Sequence, residues 1–165
     1  MVNLSKLSFW LINKKLMGMW IIMANEKQLI VFELGGEEFG IDIMDVKEII
    51  RPKEIRPLPQ TSEFIEGIIN LRGEIIVIVD LRKKFDFEKS FNSNTRIIIV
   101  EIKDKKVGFV VDSASEVLRL AEDDLFPPPE RIHGLSCDSL EGIAKRDERL
   151  IVLLDFNRLL DLEEV

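Results

Sequence analysis

Histidine, cysteine and paired carboxylates are the side chains that most often assemble a reaction centre, and this chain is poor in the first two. His133 is its only histidine and Cys137 its only cysteine. Acyl transfer needs a nucleophile, a base beside it and a third group to orient the base, so a single imidazole leaves little to build with. His133 and Cys137 are close enough in sequence to touch one metal ion, but a structural zinc site takes four ligands. A loop histidine and a half-buried thiol account for the pair better. Neither G-x-x-x-x-G-K-[ST] nor G-x-G-x-x-G occurs, so nucleotide chemistry lacks its phosphate cradle. Glu37–Glu38 and Asp123–Asp124 are the obvious carboxylate pairs for general acid and base work. One follows a turn and the other precedes a proline loop, both places where solvated charge is expected. No catalysis, metal or cofactor is expected, and such a domain works through its surfaces.

The balance of 23 basic against 30 acidic residues leaves a net charge of −7, with Lys and Arg spread along the chain. That argues against a nucleic-acid partner. With 46% hydrophobic and 32% charged residues in 165, the composition is that of a soluble globular protein with an adequate core. One cysteine excludes a disulfide framework and points to an intracellular protein. Residues 1–22 are apolar and include Phe9, Trp10, Met17, Met19 and Trp20, but Lys14 and Lys15 divide them into two stretches. Each is far shorter than the ~20 residues a membrane span needs, and no small-residue cleavage site follows. Two readings of this extension stand: an amphipathic appendage, or sequence upstream of a natural start at Met23. The preferred boundary opens the domain at residue 23 and runs it to 165.

From Gln28 onward, short apolar runs alternate with turn signals. Leu29 to Leu34 leads through Gly35 and Gly36 into Glu37 to Ile43, which reads as a hairpin because adjacent glycines supply the positive φ of a tight turn. Further strands are expected at Ile68 to Leu71, Ile75 to Val79, Arg96 to Ile102, Lys106 to Val111 and Leu150 to Leu154. The chain also aligns with itself. Residues 29–51 fall without a gap on 97–119, an offset of 68, matching Glu33 to Glu101, Gly40 to Gly108, Glu48 to Glu116 and Arg51 to Arg119. Residues 64–87 fall on 139–162, an offset of 75, matching Gly67 to Gly142, Ile76 to Ile151 and Asp80 to Asp155. Pro127, Pro128 and Pro129 lie in the loop that absorbs the difference. Two similar β units, approximately 28–87 and 95–162, follow. The runs IIVIV (Ile75 to Val79) and LIVLL (Leu150 to Leu154) are apolar throughout, so both faces of these strands are expected to be covered. The economical arrangement is mainly all-β: two small barrels sharing a core, each closed by a short helix after Asp80 and Asp155.

Positions alike in both copies are explained by folding, whereas divergent polar positions ask for another account. Asn70, Leu71, Arg72 and Gly73 stand opposite Lys145, Arg146, Asp147 and Glu148, which makes this turn the most divergent. An arginine at a turn tip is often merely solvated. It is also the cation best suited to anchoring an interface.

GIINLRGEIIVIVDLR, from Gly67 to Arg82, and LGGEEFGIDIMDVKEII, from Leu34 to Ile50, resemble the CheW family of chemotaxis coupling proteins. The resemblance covers roughly residues 28–162. It implies two intertwined SH3-like five-stranded β-barrels and a non-enzymatic adaptor, cytoplasmic and recruited to chemoreceptor arrays. The partners implied are the cytoplasmic tip of a methyl-accepting chemoreceptor and the regulatory domain of the histidine kinase CheA. By motif, Val46, Glu48, Arg72 and Val117 match the receptor-binding groove, while Gly67, Gly108 and Gly142 match positions tied to groove shape or partner binding. Val46 and Val117 can equally be core, and the recurrence of the glycines in both copies suits a backbone requirement. The kinase contact is expected to use apolar strand or loop surface rather than charge. A regulatory fragment of a CheA-like kinase and a small-ligand-binding double barrel are the alternatives.

Overall fold

The computed structural model describes residues 26–132 and 135–160. The extension over 1–22, His133 and the side chain of Cys137 lie outside the described residues. The first half runs β1 (Lys27–Leu34), β2 (Glu37–Asp42), a 3-10 turn at Ile43–Asp45, β3 (Val46–Ile50), β4 (Ile65–Leu71), β5 (Glu74–Asp80) and α1 (Leu81–Lys84). The second runs β6 (Arg96–Ile102), β7 (Lys105–Val111), β8 (Ser113–Leu120), β9 (Leu125–Phe126), β10 (Arg131–Ile132), β11 (Leu135–Ser136), β12 (Leu140–Arg146), β13 (Arg149–Leu154) and α2 (Phe156–Leu159). Gly35 and Gly36, at φ +59° and +81°, form the first hairpin turn as their sequence requires. Asp80 and Asp155 cap the two short helices, accepting from the N–H of Arg82 and of Asn157.

The strands form two principal sheets, ordered β8-β1-β2-β13-β12-β9 and β3-β6-β7-β5-β4. Each hairpin that opens a repeat is therefore inserted into the sheet of the other repeat. The joints are parallel pairings, Val152 with Phe39 and Leu153 with Gly40 on one side, and Val77 with Val107 through Asp80 with Val110 on the other. This exchange makes the two SH3-like barrels intertwined.

It also explains the continuous apolar runs. Along β1, Leu29 and Val31 face the interior of their own barrel, whereas Ile30, Phe32 and Leu34 join the core shared by both. The equivalent positions in β6 divide the same way: Ile97 and Ile99 face inward, and Ile98, Val100 and Ile102 enter the shared core. Aromatic rings fill the junction, with Phe109 and Phe156 at 4.3 Å and Phe32 and Phe39 at 5.9 Å between centroids. The expectation that every position of IIVIV and LIVLL is covered holds only beyond the first residue. Ile75 and Leu150 are 62% and 61% exposed, because each lies at the outer start of its strand, just after the hairpin turn.

Gly67 and Gly142 occupy the same bulged position in β4 and β12, where the register with β5 and β13 shifts. A side chain at Gly67 would stand 2.1 Å from the Arg56 carbonyl oxygen, and one at Gly142 would stand 2.7 Å from the Phe126 carbonyl oxygen. Arg56 and Phe126 are themselves equivalent, since each pairs with the next residue of the bulge, Ile68 and Ile143. Gly108 packs under Ile78, whose Cδ1 would lie 2.6 Å from an added Cβ. Each glycine thus has a steric reason to lack a side chain. Gly67 also sits at φ +144°, a backbone conformation that resists replacement. Gly67→Ala is expected to cost on the order of 2–3 kcal/mol, and the midpoint of a urea titration should fall accordingly. Gly73→Ala, at φ +86° but facing open space, carries the backbone strain without the clash and should lower it less.

Candidate functional site

The β4–β5 hairpin brings Arg72 to the open seam of its barrel. Asn70 Oδ1 accepts from the Gly73 N–H at 3.0 Å, which tightens the turn, and Arg72 adopts φ +49° at its tip. From there the guanidinium reaches across to β3, the sheet edge on the other side of the seam. Arg72 Nη1 donates to Glu48 Oε1 at 3.1 Å and Nη2 donates to Oε2, a two-pronged contact. Lys47 with Glu101 (3.0 Å) and Lys106 with Glu74 (2.6 Å) flank it, and Leu71 and Ile99 complete the lining of the shallow depression there. The hydrogen bond from Arg72 holds the Glu48 carboxyl below its ordinary value, and the carboxylate in turn raises Arg72. Arg72 is nevertheless 69% exposed, so the charge pair stands open at the surface.

The other barrel closes its seam differently. Glu116, the counterpart of Glu48, pairs with Arg149 at the start of β13 rather than with the turn. Arg149 also grips Glu38 in two-pronged fashion, at 3.1 and 2.7 Å. Glu38 is therefore an ion-pair partner and not merely the solvated charge that its place after a turn suggested. Glu38, and then Glu116, hold the Arg149 guanidinium far above its ordinary range. The offsets of 75 and 68 make Arg149 the counterpart of Glu74 and Glu38 the counterpart of Lys106. The same ion pair is present in both barrels with its signs exchanged.

Of the residues matched by motif, Val46, Glu48 and Arg72 lie on the five-stranded sheet and Val117 on the six-stranded one. Val46 is half-buried and packs against the shared core, whereas Val117 is 54% exposed. Sequence reasoning missed Ile75 and Leu150, exposed at equivalent positions beside the exchanged ion pairs. Their signal was present: both are first residues of apolar runs, preceded by a charged turn, and aligned by the offset of 75. Beside Ile75, a groove of about 460 Å³ runs along β4 between Ile68, Asn70, Lys53 and Arg56. Among the described residues no helix is long and apolar enough to cross a membrane.

The fold and the site define a class of duplicated β protein: two intertwined SH3-like barrels with charged seams and an apolar side chain exposed at the end of each. A family model described as the CheW-like domain matches residues 28–164. The chain is similar to chemotaxis protein CheW of Klebsiella aerogenes, 39% identical over 84% of each chain. It is also similar to that of Bacillus subtilis, 36% identical over 86% of this chain and 91% of the relative. Among solved structures, the scaffolding protein TtCheW from Thermoanaerobacter tengcongensis superposes with a TM-score of 0.78 at 41% identity, covering 84% of this chain and 90% of that one. The chain belongs to the CheW family of chemotaxis scaffold proteins.

Because the folded-state pKa of Glu48 is lowered, its pairing with Arg72 stabilises the fold above the ordinary glutamate value of 4.5 and is lost as pH falls through the depressed value. An NMR titration of the Glu48 carboxyl should therefore show a midpoint below 4.5, and Arg72→Ala should return it upward.

Proposed function

We propose that this protein couples methyl-accepting chemoreceptors to the histidine kinase CheA without catalysing a reaction itself, acting in the cytoplasm at membrane-associated receptor arrays. The observation that carries the reading is that two barrels built alike differ mainly in their surfaces. One seam displays an exposed arginine, and the two apolar ends carry ion pairs of opposite polarity. A protein with distinct docking sites on a shared core suits a bridge between unlike partners.

In this reading the receptor tip meets the face formed by Val46, Glu48 and Arg72, with Val117 contributing from the other sheet. Gly67, Gly108 and Gly142 act through shape, since a side chain at any of them would displace the strands that frame the surface. The regulatory domain of CheA meets the ends marked by Ile75 and Leu150. An apolar centre bordered by charge is the usual anatomy of a reversible interface. The exchanged pairs, Glu74 with Lys106 and Arg149 with Glu38, make one end electrostatically unlike the other, so the two ends select different barrel faces.

Arg72→Glu should leave the far-UV circular dichroism and thermal melt close to wild type but abolish co-sedimentation with receptor-containing membranes. Retained co-sedimentation would remove Arg72 from the receptor face. Ile75→Asp or Leu150→Asp should weaken binding to an isolated CheA regulatory domain at least about tenfold, corresponding to ~1.4 kcal/mol, by titration calorimetry. Unchanged affinity in both variants would place the kinase contact elsewhere.

A further inference from the structure

The chain crosses from one barrel to the other at two equivalent places, the β2–β3 connection and the β7–β8 connection. Exchange of the hairpins makes these crossings the points where the angle between barrels is set. They are built very differently.

At the β7–β8 crossing stands Asp112, and the only fully buried arginine among the described residues reaches it. Arg82, the second residue of α1, donates from Nε and Nη2 to the two oxygens of Asp80 at 3.0 Å each. Its Nη1 donates to Asp112 Oδ1 at 3.0 Å and to the Ser90 carbonyl oxygen. The other oxygen of Asp112 accepts the Gly35 N–H at 2.8 Å, and the Asp112 N–H donates to the Glu33 carbonyl oxygen at 2.9 Å. One guanidinium thus joins the end of β5, the linker between the repeats and the crossing itself. Asp112 carries that connection to the β1–β2 turn in the opposite sheet. Phe91 covers the cluster, its ring centroid 4.8 Å from the guanidinium carbon. A buried arginine is tolerable only when its donors are so fully engaged.

At the β2–β3 crossing the counterparts are Met44 for Asp112 (an offset of 68) and Asn157 for Arg82 (an offset of 75). Met44 is 83% exposed and Asn157 is exposed as well. Asp155 caps α2, and among the described residues it holds no buried cation. Asp42, Asp45 and Asp155 approach one another, with Lys27 beside Asp42 and the exposed Arg158 beside Asp155 at 3.3 Å. Burial, and then Asp42 and Asp155, push the Asp45 carboxyl up.

We infer that Arg82 is a positioning residue: with Asp80 and Asp112 it locks one of the two crossings, so that the angle between the barrels can change only by yielding at the Met44 crossing. The five-stranded sheet carries Ile75 and the six-stranded sheet carries Leu150, so the lock fixes how these two ends are aimed. Arg82 does this whichever partners the ends meet.

The test is an inter-barrel distance measured by paired spin labels in the full chain. Labels go on Lys105→Cys and Lys145→Cys, both exposed and on different sheets, in a Cys137→Ser background. Arg82→Gln should broaden the distance distribution or shift its maximum while the melt stays cooperative. Asn157→Ala should leave the distribution as in wild type. An unchanged distribution in Arg82→Gln, or equal broadening in both variants, overturns the inference. If Arg82→Gln fails to fold, Asp112→Ala retains the Arg82 to Asp80 contact and removes the anchor at the crossing. Broadening in that variant supports the lock, and an unchanged distribution overturns it.

Discussion

Two parallel strand pairings, β2 with β13 and β5 with β7, hold the rest of the molecule together. They are the joints by which each hairpin completes the other repeat's barrel. Neither barrel can form its full sheet from contiguous sequence, and the apolar faces left over meet in one core. The consequence reaches residue by residue into the strands: alternate side chains of β1 and β6 serve different cores, so the runs lose the wet face of an ordinary two-sheet sandwich. A protein joined in this way presents surfaces on a common body, not on two loosely tethered domains.

Duplication followed by divergence is visible in the electrostatics. The steric features recur in both copies: a glycine at the bulge under a neighbouring carbonyl, a glycine under the β5 or β13 side chains, and an aspartate capping the final helix. The charges do not. Glu48 takes its cation from a turn and Glu116 takes its cation from a strand, while Glu74 with Lys106 becomes Arg149 with Glu38. Folding needs the packing in both halves and is indifferent to the sign of a surface pair, which at such exposure contributes little to stability. Surface charge was therefore free to distinguish the two ends.

The buried network at Arg82 obeys a different economy. Its charges are removed from water, so each donor must find an acceptor, and those acceptors come from segments that are distant in sequence. The DLR tripeptide shows the Asp80 to Arg82 contact in outline, because a capping aspartate lies two residues before the arginine. Asp112 and Ser90 have no sequence spacing that ties them to it.

The amino-acid sequence by itself determined the β class, the hairpin at Gly35 and Gly36, the duplication, the short closing helices after Asp80 and Asp155, and the Arg72 turn as the most divergent. These are local or self-referential properties: turn dihedrals, short-range hydrophobic pattern and similarity of the chain to itself. It under-read β3, β8 and β12, whose mixed composition hides strands stabilised by their neighbours rather than by propensity. Only the tertiary structure decided which sheet each hairpin enters, that Glu48 is the residue Arg72 grips, and that Glu38 belongs to Arg149. It also decided that Ile75 and Leu150 emerge into solvent from runs that look uniformly buried. Those outcomes depend on contacts between residues far apart in the chain, and side-chain exposure at a strand end is set by where the opposing sheet stops, which no local pattern encodes.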